Sequence, residues 1–241
     1  MPNPKLYAPI FERKSIRKYT DTSLSPEQLG WVKEEIAAVA PLLPGEKFTL
    51  ELATSKEGWR IYGYCENTAL ANVNLGYVMQ QLDLALHLRG LGRLWYGFGR
   101  EPRDSNPPKG LSYAMCLKIG NAAEPLTRES SGFDRRASIV YADEMHCHAS
   151  LQELLEPARL APSAMNSQPW LFSAGGDAIH VWQKKLGLKK LFLGRMNQID
   201  MGICLCHAAL AIAQAGKGFT VEVKSPAQAV PEHHYLLTLR P

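Results

Sequence analysis

The sequence predicts an α+β fold in which a tandem duplication forms a pseudo-dimer within one chain. Two segments, residues 67–89 and 200–215, have the pattern of long helices that are apolar almost all round, and a Gly-x-Gly sequence follows each. A helix of this kind must be buried on every side. Short alternating apolar segments, which are typical of strands, lie before and after each helix. Two halves that pack on these helices would therefore share one core.

The two halves match at nearly constant offsets. Gly76 and Gly202 stand 126 residues apart, and the Gly-x-Gly stops that follow them keep the same offset. Upstream, the Ala-Pro pairs that end at Pro41 and Pro162 are 121 residues apart, so one loop insertion accounts for the difference. Chance similarity between two amphipathic helices is the alternative, but the shared helix stops favour duplication.

The predicted halves, residues 1–140 and residues 141–241, each contain a capped helix and a set of strands. Ser25 and Gln28 form a capping-box pattern that begins the first helix, which Pro41 ends. In the second half, Ser150 is expected to cap a helix over residues 151–160. The predicted strands are residues 48–53, 95–98 and 113–119 in the first half and residues 170–173, 178–183 and 235–239 in the second.

The composition fits a globular protein and argues against some partners. With 241 residues and 46% hydrophobic content, the chain can form a sizeable core. A formal charge of +4 without a basic stripe argues against a nucleic-acid partner. The N-terminus has no apolar signal segment, and no run of eighteen apolar residues occurs. We therefore expect a cytoplasmic protein that does not span a membrane.

The sequence predicts neither a metal site nor a catalytic side chain. Five scattered cysteines do not fit a disulfide framework. His146-Cys147-His148 could chelate a metal, but such a run is more often a solvated linker. We find no Ser/His/Asp or Cys/His set for nucleophilic catalysis. The basic segment 184–195 is interpreted as a solvated surface helix or a lid, with a membrane-surface helix as the alternative.

A dense basic motif lies near the N-terminus. Arg13, Lys14, Ser15 and Arg17 supply three cations and a hydroxyl group within five positions. A phosphate monoester carries about −1.5 to −2 charges and three acceptor oxygens, which arginine meets with a rigid fork. The motif therefore predicts a phosphate site. Taken alone, it is more typical of a solvated basic turn before a helix.

A second motif surrounds Ser163, which lies 148 residues after Ser15, and residues 158–170 read ARLAPSAMNSQPW. Residues 90–97 read GLGRLWYG, and residues 119–125 read IGNAAEP before the pair Arg135-Arg136. Together these motifs resemble the nitroreductase family of FMN-dependent oxidoreductases. The resemblance is closest to members whose single chain holds both halves of the dimer. It covers most of the chain and implies a nitroreductase-like α/β/α sandwich.

The resemblance implies an FMN site built from both halves. In ordinary dimers of the family, one subunit supplies the basic motif and the C-terminal basic residues, and the other supplies the Pro-Ser segment. By similarity, the residues that would hold the phosphate and ribityl groups are Arg13, Lys14, Ser15 and Arg17, and Arg135 or Arg136 would close the phosphate pocket. Along one ring face would lie Pro162, Ser163 and Ala164, Asn166 would meet the ring edge, and Gln168 and Trp170 would brace this loop. Backbone N–H groups near Tyr96 and Gly97 would reach flavin nitrogen 5.

Each half lacks what the other retains, which implies one FMN site per chain. The first half keeps the basic motif, but Ala40-Pro41-Leu42 has lost the polar chemistry of the Pro-Ser segment. The second half keeps that segment but has no basic motif before its helix. A monomer would suffice for the site, and a homodimer of the whole chain stays open.

The function implied by the resemblance is that of an FMN-dependent NAD(P)H oxidoreductase. NADH or NADPH would bind transiently and deliver hydride, and a small-molecule electron acceptor such as a nitroaromatic or a quinone would follow in a ping-pong cycle. A flavin-binding protein with little turnover, for storage or sensing, is the alternative. A specialised chemistry such as flavin fragmentation or dehalogenation also stays open.

Two residues depart from the family pattern. Met165 stands where members often have glycine. Its side chain either narrows the pocket or packs in the core, and we favour core packing. Arg93 stands where members have a small residue, and it either changes the preference for substrate charge or faces solvent.

Overall fold

The structure is a computed structural model that describes residues 2–56, 58–97, 101–102, 105–129, 132–141, 149–187, 190–224, 226 and 229–240. Its helices are α1 (Pro26–Ala38), α2 (Ala69–Leu88), α3 (Ala149–Leu154), α4 (Glu156–Arg159) and α5 (Lys190–Gln214). Its strands are β1 (Phe48–Ser55), β2 (Gly58–Cys65), β3 (Gly92–Tyr96), β4 (Ser112–Gly120), β5 (Trp170–Gly175), β6 (Ala178–Lys184), β7 (Thr220–Glu222) and β8 (His233–Arg240). Short 3-10 turns cover Pro4–Leu6, Ala8–Phe11 and Ala164–Asn166.

Two four-stranded antiparallel sheets have the same strand order. The first sheet runs β1-β2-β4-β3, and the second runs β5-β6-β8-β7. Both sheets contain a one-residue bulge at the same place, with Ala114 as the extra residue of β4 and Leu236 as the extra residue of β8. A repeated strand order with a repeated bulge is consistent with the duplication that the sequence predicts.

Helices α2 and α5 form the centre of the core and touch backbone to backbone. A Cβ atom on Gly202 would overlap the carbonyl oxygen of Val73, and one on Gly76 would overlap the carbonyl oxygen of Ile199. Val73 and Ile199 are themselves 126 residues apart, as the two glycines are. The contact thus joins the same patch of both helices, as at a twofold interface between subunits.

Buried polar groups accompany this crossing. Asn72 donates to Gln198, which is again 126 residues away, at 2.9 Å. Nε2 of His207 lies 2.9 Å from the Gln80 amide nitrogen, and its Nδ1 lies 3.0 Å from the Pro157 carbonyl oxygen. Because a carbonyl group only accepts, Nδ1 carries the proton and Nε2 accepts from Gln80. Burial lowers the pKa of His207 to about 3, so this side chain contributes hydrogen bonds without charge.

Part of α5, Leu193–Gln214, is long and apolar enough to cross a membrane by length and composition alone. Inside this fold, 83% of its most apolar window is buried. Packing against α2 and the rest of the core therefore accounts for its composition, as expected of a helix that is apolar on all sides.

The sequence patterns locate α1, α2 and six of the eight strands of the described residues. The capping box between Ser25 and Gln28 is present and begins α1, and α2 begins directly after its cap, Thr68, two residues from the predicted start. Strands β2 and β7 are not predicted. Strand β2 is buried along most of its length and lacks alternation, and β7 has only three residues.

The segment before the second long helix differs from its predicted role. Lys184 ends β6 and Lys190 begins α5, ten residues before the predicted helix start, so residues 184–195 do not form a separate surface helix or lid. Arg195 ties this part of α5 to the first half, because it donates to the Asn72 side chain at 2.9 Å and to the Tyr113 carbonyl oxygen at 2.6 Å. Residues 188 and 189 lie outside the described residues.

The start of the second half also departs from the prediction. The single helix predicted for residues 151–160 is divided into α3 and α4, and Pro157, which has no N–H group, stands in the first turn of α4. Ser150 lies inside α3 rather than before it. His146-Cys147-His148 lies outside the described residues, and the division of the chain at residue 140 stays a prediction.

The end of the first half joins the sheet of the second half. Val140 forms a parallel bridge with Phe172 of β5. Phe172 donates to the Ile139 carbonyl oxygen at 2.8 Å, and Tyr141 donates to the Phe172 carbonyl oxygen at 2.7 Å. This arm pairs with the outer edge of β5 at Phe172 and restrains the residues just before it, which include Arg135 and Arg136.

Replacing Gly202 with alanine should destabilise the protein by about 1–3 kcal/mol, because the new Cβ must push α2 and α5 apart. Gly30→Ala in α1 is the control, since nothing lies within 4 Å of the added Cβ there. The control should be neutral or stabilising by up to about 1 kcal/mol. Equilibrium urea unfolding of both variants measures the difference. Equal stability of the two variants would contradict the close helix crossing.

Candidate functional site

Two adjoining cavities lie where the two sequence motifs meet. Their volumes are about 410 and about 470 Å³, within the range of small-molecule sites. They share Ser15 and Arg17 from the N-terminal segment and Pro162, Ser163 and Met165 from the second half. The fold thus brings together the two motifs that stand 148 residues apart in the sequence.

The cavities differ in chemistry. We call the smaller one the apolar cavity, and its further lining residues are Leu94, Trp95, Tyr96, Gly97, Met115, Ala164, Met196, Asp200 and Ile203. We call the larger one the cationic cavity, and its further lining residues are Arg13, Lys14, Glu124, Arg128, Gly132, Asp134, Arg135 and Asn166.

Asp83 of α2 holds the basic motif from inside the core. Its carboxylate lies 2.7 Å from Arg13 Nε and 3.5 Å from Arg93 Nε, and all three side chains are at most 1% exposed. Arg93 also donates to the carbonyl oxygens of Leu91 at 3.0 Å and Lys14 at 3.3 Å. One carboxylate beside two guanidinium groups leaves a net positive charge beneath the motif. Arg93 is buried, which corrects the interpretation that it faces solvent, and it lines neither cavity, so an effect on the preference for substrate charge stays a prediction.

Glu124 shapes the basic motif from its outer side. Its carboxylate accepts the backbone N–H groups of Arg17 at 2.6 Å and Lys18 at 2.9 Å, and it lies 2.9 Å from Lys14 Nζ. The backbone hydrogen bonds, with that of Lys14, lower the pKa of Glu124 to about 2. Lys14 is therefore neutralised within the protein, whereas the exposed Arg17 side chain lines both cavities.

Arg128 and Arg135 complete the cationic cavity. Burial, followed by the positive charges of Arg128 and Arg13, lowers the pKa of Arg135 to about 10. Arg135 donates to Asn166 Oδ1 at 2.9 Å, and the Arg128 guanidinium lies 3.6 Å from the centroid of the Phe133 ring. Cations that repel one another around a partly buried cavity favour an anion between them.

Arg136 and Gln168 brace the second motif outside both cavities. The backbone N–H of Arg136 donates to Gln168 Oε1 at 2.8 Å, and its guanidinium donates to the carbonyl oxygens of Gln168 and, at 3.0 Å, of Trp170. Of the two arginines that the sequence offers for the phosphate pocket, the structure places Arg135 at the cavity and Arg136 in this brace.

The loop after Pro162 has an unusual backbone. Three residues of this loop have positive φ angles: 51° at Met165, 54° at Asn166 and 45° at Gln168. These values lie in the left-handed region that residues other than glycine rarely adopt. Ser163 closes the loop by accepting the Gln168 N–H at 3.0 Å. Met165 is 80% exposed and lines both cavities, so the core-packing interpretation of this residue is wrong.

The Asn166 side chain points to the tail of the first half. Its Nδ2 donates to the Asp134 carbonyl oxygen at 3.1 Å, and its Oδ1 accepts from Arg135 at 2.9 Å. Asn166 lines the cationic cavity and not the apolar one, and its role at a ring edge stays a prediction.

Asp200 of α5 holds the same loop from beneath. Each of its carboxylate oxygens lies 3.1 Å from the Ala164 backbone nitrogen, and its Oδ2 lies 3.4 Å from Ser167 Oγ. The residue is 3% exposed and lines the apolar cavity. Burial raises the pKa of Asp200 to about 8.

The end of β3 and several methionines also line the apolar cavity. Tyr96 and Gly97 lie there, and three thioethers, from Met115, Met165 and Met196, surround the space. Polarizable, flexible thioethers make favourable contacts with aromatic rings. This cavity therefore suits a flat aromatic group.

Sequence reasoning missed four charged residues of this site, namely Asp83, Glu124, Arg128 and Asp200. Two of them had a detectable signal, because Asp83 and Asp200 are carboxylates inside otherwise apolar helices. Glu124 lay within a recognised motif but had no assigned role. Arg128 stands in a loop where nothing in the sequence marks it.

Metal-binding and thiol chemistry find no support in the part of the chain that the structure describes. No group of three or more His, Cys, Asp or Glu side chains among those residues could hold a metal ion. Cys65, Cys116, Cys204 and Cys206 are buried and form no disulfide bond among the described residues.

The paired sheets, the crossed helices and the composite cavity define an α+β fold of the nitroreductase type. The chain matches the family described as "Putative TM nitroreductase" over residues 5–212, and it belongs to this family of oxidoreductases. A crystal structure described as a "putative nitroreductase" from Thermotoga maritima is similar over 98% of this chain and 93% of that chain, with a TM-score of 0.67 and 20% identity.

Other solved structures match about half of the chain. A nitroreductase with bound FMN from Desulfitobacterium hafniense covers 59% of this chain and 100% of its own, with 15% identity and a TM-score of 0.44. An FMN-dependent nitroreductase from Clostridium difficile covers 51% of this chain and 91% of its own, with 17% identity and a TM-score of 0.41. No curated protein matches the chain.

Asp83→Asn should destabilise the protein by about 3–5 kcal/mol, because it leaves the buried guanidinium groups of Arg13 and Arg93 without a counter-charge. Glu34→Gln is the matched control, since it removes the carboxylate of an exposed pair with Arg89 and should change stability by less than about 0.5 kcal/mol. Urea unfolding at neutral pH measures both. A change in Asp83→Asn as small as that of the control would contradict the buried cluster.

Proposed function

We propose that the protein is an FMN-dependent NAD(P)H oxidoreductase that reduces nitroaromatics, quinones or similar acceptors. The observation that carries this proposal is the direct contact between a cationic cavity and an apolar one along Ser15, Arg17 and the Pro-Ser segment. FMN has the matching form, because it joins a flat ring system to a single terminal phosphate. The family to which the chain belongs supports the same cofactor.

The phosphate end fits the cationic cavity by charge. Lys14 already has a partner in Glu124, and Arg13 is tied to Asp83. Arg17, Arg128 and Arg135 are the cations that remain to meet a phosphate dianion, with the Ser15 hydroxyl as a further donor. Three cations around one cavity match a monophosphate, which favours FMN over a dinucleotide as the resident cofactor.

The ring end fits the apolar cavity by shape. Pro162, Ser163 and Ala164, on the loop held by Asp200, line this cavity, and so do Tyr96 and Gly97 at the end of β3. Backbone N–H groups near Tyr96 and Gly97 are the expected donors to flavin nitrogen 5. The strained backbone from Met165 to Gln168 is fixed by its hydrogen bonds, so this loop is preorganised before any ligand binds.

When bound, FMN supplies the hydride chemistry, and the protein supplies binding, orientation and electrostatics. Arg17 and Arg135 would hold the phosphate, and this contact would orient the ring in the apolar cavity. The thioethers and Trp95 exclude water from the ring. This chemistry requires no protein nucleophile, and NADH or NADPH and then the acceptor would bind in turn at the apolar cavity.

One FMN per chain follows from the difference between the halves. In the loop that matches Pro162-Ser163-Ala164, the first half has Pro41, Leu42 and Leu43, which offer no polar side chain. All site residues come from a single chain, so a monomer is sufficient, and we propose a cytoplasmic enzyme whose partners are small molecules.

Arg17→Ala should weaken FMN binding by about 1.5–3 kcal/mol, the range for hydrogen bonds to a charged group. Lys18→Ala is the matched control. Lys18 is an exposed cation next to Arg17 that lines neither cavity, and the variant keeps the backbone hydrogen bond from residue 18 to Glu124. Quenching of flavin fluorescence during titration of the cofactor-free protein measures both affinities. Equal affinities in the two variants would place the phosphate elsewhere.

The purified protein should be yellow and bind one FMN per chain at saturation. It should oxidise NADH or NADPH faster when menadione or a nitroaromatic is added. Denaturing release with chromatography identifies the flavin, and steady-state assays measure turnover. Release of FAD, or two flavins per chain, would overturn the single-site model. Stoichiometric FMN without turnover would instead identify a storage or sensing protein.

A further inference from the structure

Matching residues of α2 and α5 hold the matching loops of the two halves. In the first half, Leu42 and Leu43 donate their backbone N–H groups to Asn74 Oδ1 at 2.9 and 3.0 Å. In the second half, Ala164 donates to the Asp200 carboxyl group at 3.1 Å. Asn74 and Asp200 are 126 residues apart, the offset that relates the two helices. The first half therefore shows that an amide is sufficient to anchor such a loop.

A buried carboxyl group at this position needs a further reason, because burial of an ionised carboxylate is costly. The two anchors differ in what lies beside them. Asp200 lines the apolar cavity, whereas Asn74 is fully buried and lines neither cavity of the site. The carboxyl group is thus present at the position where its charge would act on a bound ligand.

The hydrogen bonds around Ser167 indicate which form of the carboxyl group this position holds. Ser167 Oγ lies 3.1 Å from Asn197 Oδ1 and 3.4 Å from Asp200 Oδ2. A hydroxyl group has one hydrogen, and the nearer acceptor is Asn197. Asp200 Oδ2 then faces a lone pair of Ser167, which is favourable only when the carboxyl group itself carries a proton and donates it.

We propose that Asp200 is a positioning residue for the flavin, which as a neutral acid donates to Ser167, accepts from Ala164 and fixes the loop that faces the ring. Loss of this proton places a negative charge on the floor of the apolar cavity and weakens flavin binding. The second statement rests on the proposed function, whereas the protonation of Asp200 does not.

The surroundings of Asp200 agree with this assignment. Arg17 from the N-terminal segment and Tyr96 from β3 line the same cavity, and Cys204, one turn further along α5, lies within electrostatic reach of both Asp200 and Arg136. The loop from Pro162 to Met165 contributes no titratable side chain. Burial raises the pKa of Asp200 to about 8, because it outweighs the Ala164 hydrogen bond and would also outweigh one donated by Ser167, so the acid is neutral below this pH and anionic above it.

The first test measures FMN affinity against pH by quenching of flavin fluorescence. Between about pH 7 and about pH 9, where the phosphate stays a dianion, the dissociation constant of the wild type should rise about five- to tenfold. In Asp200→Asn it should change by less than about twofold, because the amide cannot become charged. The control Asp177→Asn, an exposed residue of the β5–β6 turn, should keep the wild-type pH dependence. The same pH dependence in Asp200→Asn as in the wild type overturns the proposal.

The second test uses the cofactor-free protein and infrared spectroscopy. The carbonyl band of a protonated carboxylic acid should appear in the difference between wild type and Asp200→Asn at pH 7 and should disappear as the pH passes about 8. Ser167→Ala should move this transition to lower pH, because it removes the acceptor of the acid proton. A shift to higher pH would mean that Ser167 donates to a carboxylate, and it would overturn the assignment, as would the absence of the band.

The two tests separate this inference from the proposed function. If FMN does not bind at all, the proposed function fails, and the infrared titration alone decides whether Asp200 holds a proton. If FMN binds with a pH-independent affinity while the band titrates, the positioning role is overturned and the protonation stands.

Discussion

The site depends on the backbone contact between α2 and α5 at Gly76 and Gly202. This contact sets how closely the two halves approach, and no side chain larger than hydrogen fits there. Asp83 lies two turns beyond Gly76 on α2, and Asp200 lies two residues before Gly202 on α5. The crossing therefore positions both carboxyl groups that support the site, one beneath the basic motif and the other beneath the Pro-Ser loop. A small change in helix separation would move the two walls of the composite cavity relative to each other.

Charge in this site is distributed over two levels. In the core, Asp83 neutralises only one of two buried guanidinium groups, and on the outer side Glu124 fixes the backbone of the basic motif while it occupies Lys14. These contacts neutralise part of the positive charge and leave Arg17 and Arg135 at the cationic cavity. The protein thus holds its cations close to one another through packing and hydrogen bonds, and an anion relieves the repulsion that results.

Sequence patterns predict this architecture unevenly, for physical reasons. The capping box at Ser25 and the Gly-x-Gly stops are local signals, and the helices lie close to where these signals place them. The meeting of Arg17 with Ser163 is not a local signal, and only the family resemblance indicated it. Which of Arg135 and Arg136 reaches the cavity depends on the direction in which each side chain leaves an irregular segment. That direction follows from the bridge between Val140 and β5 and has no periodicity from which it could be predicted.

The burial of Arg93 shows the same limit, because an arginine beside an aromatic strand is usually exposed, and only a carboxylate from a distant helix makes its burial tolerable. Met165 shows the converse, since its left-handed backbone turns an apolar side chain outward where composition alone suggests a place in the core.

The covalent connection of the two halves changes how such a site can vary. In a dimer of identical subunits every substitution occurs twice, so a carboxyl group gained at one anchor is imposed on the other. Here Asn74 and Asp200 occupy matching positions and are encoded separately. A single chain can therefore hold an amide where only a loop needs support and an acid where a cavity is present. The protein can vary its two anchors independently, a freedom that symmetry denies to a homodimer.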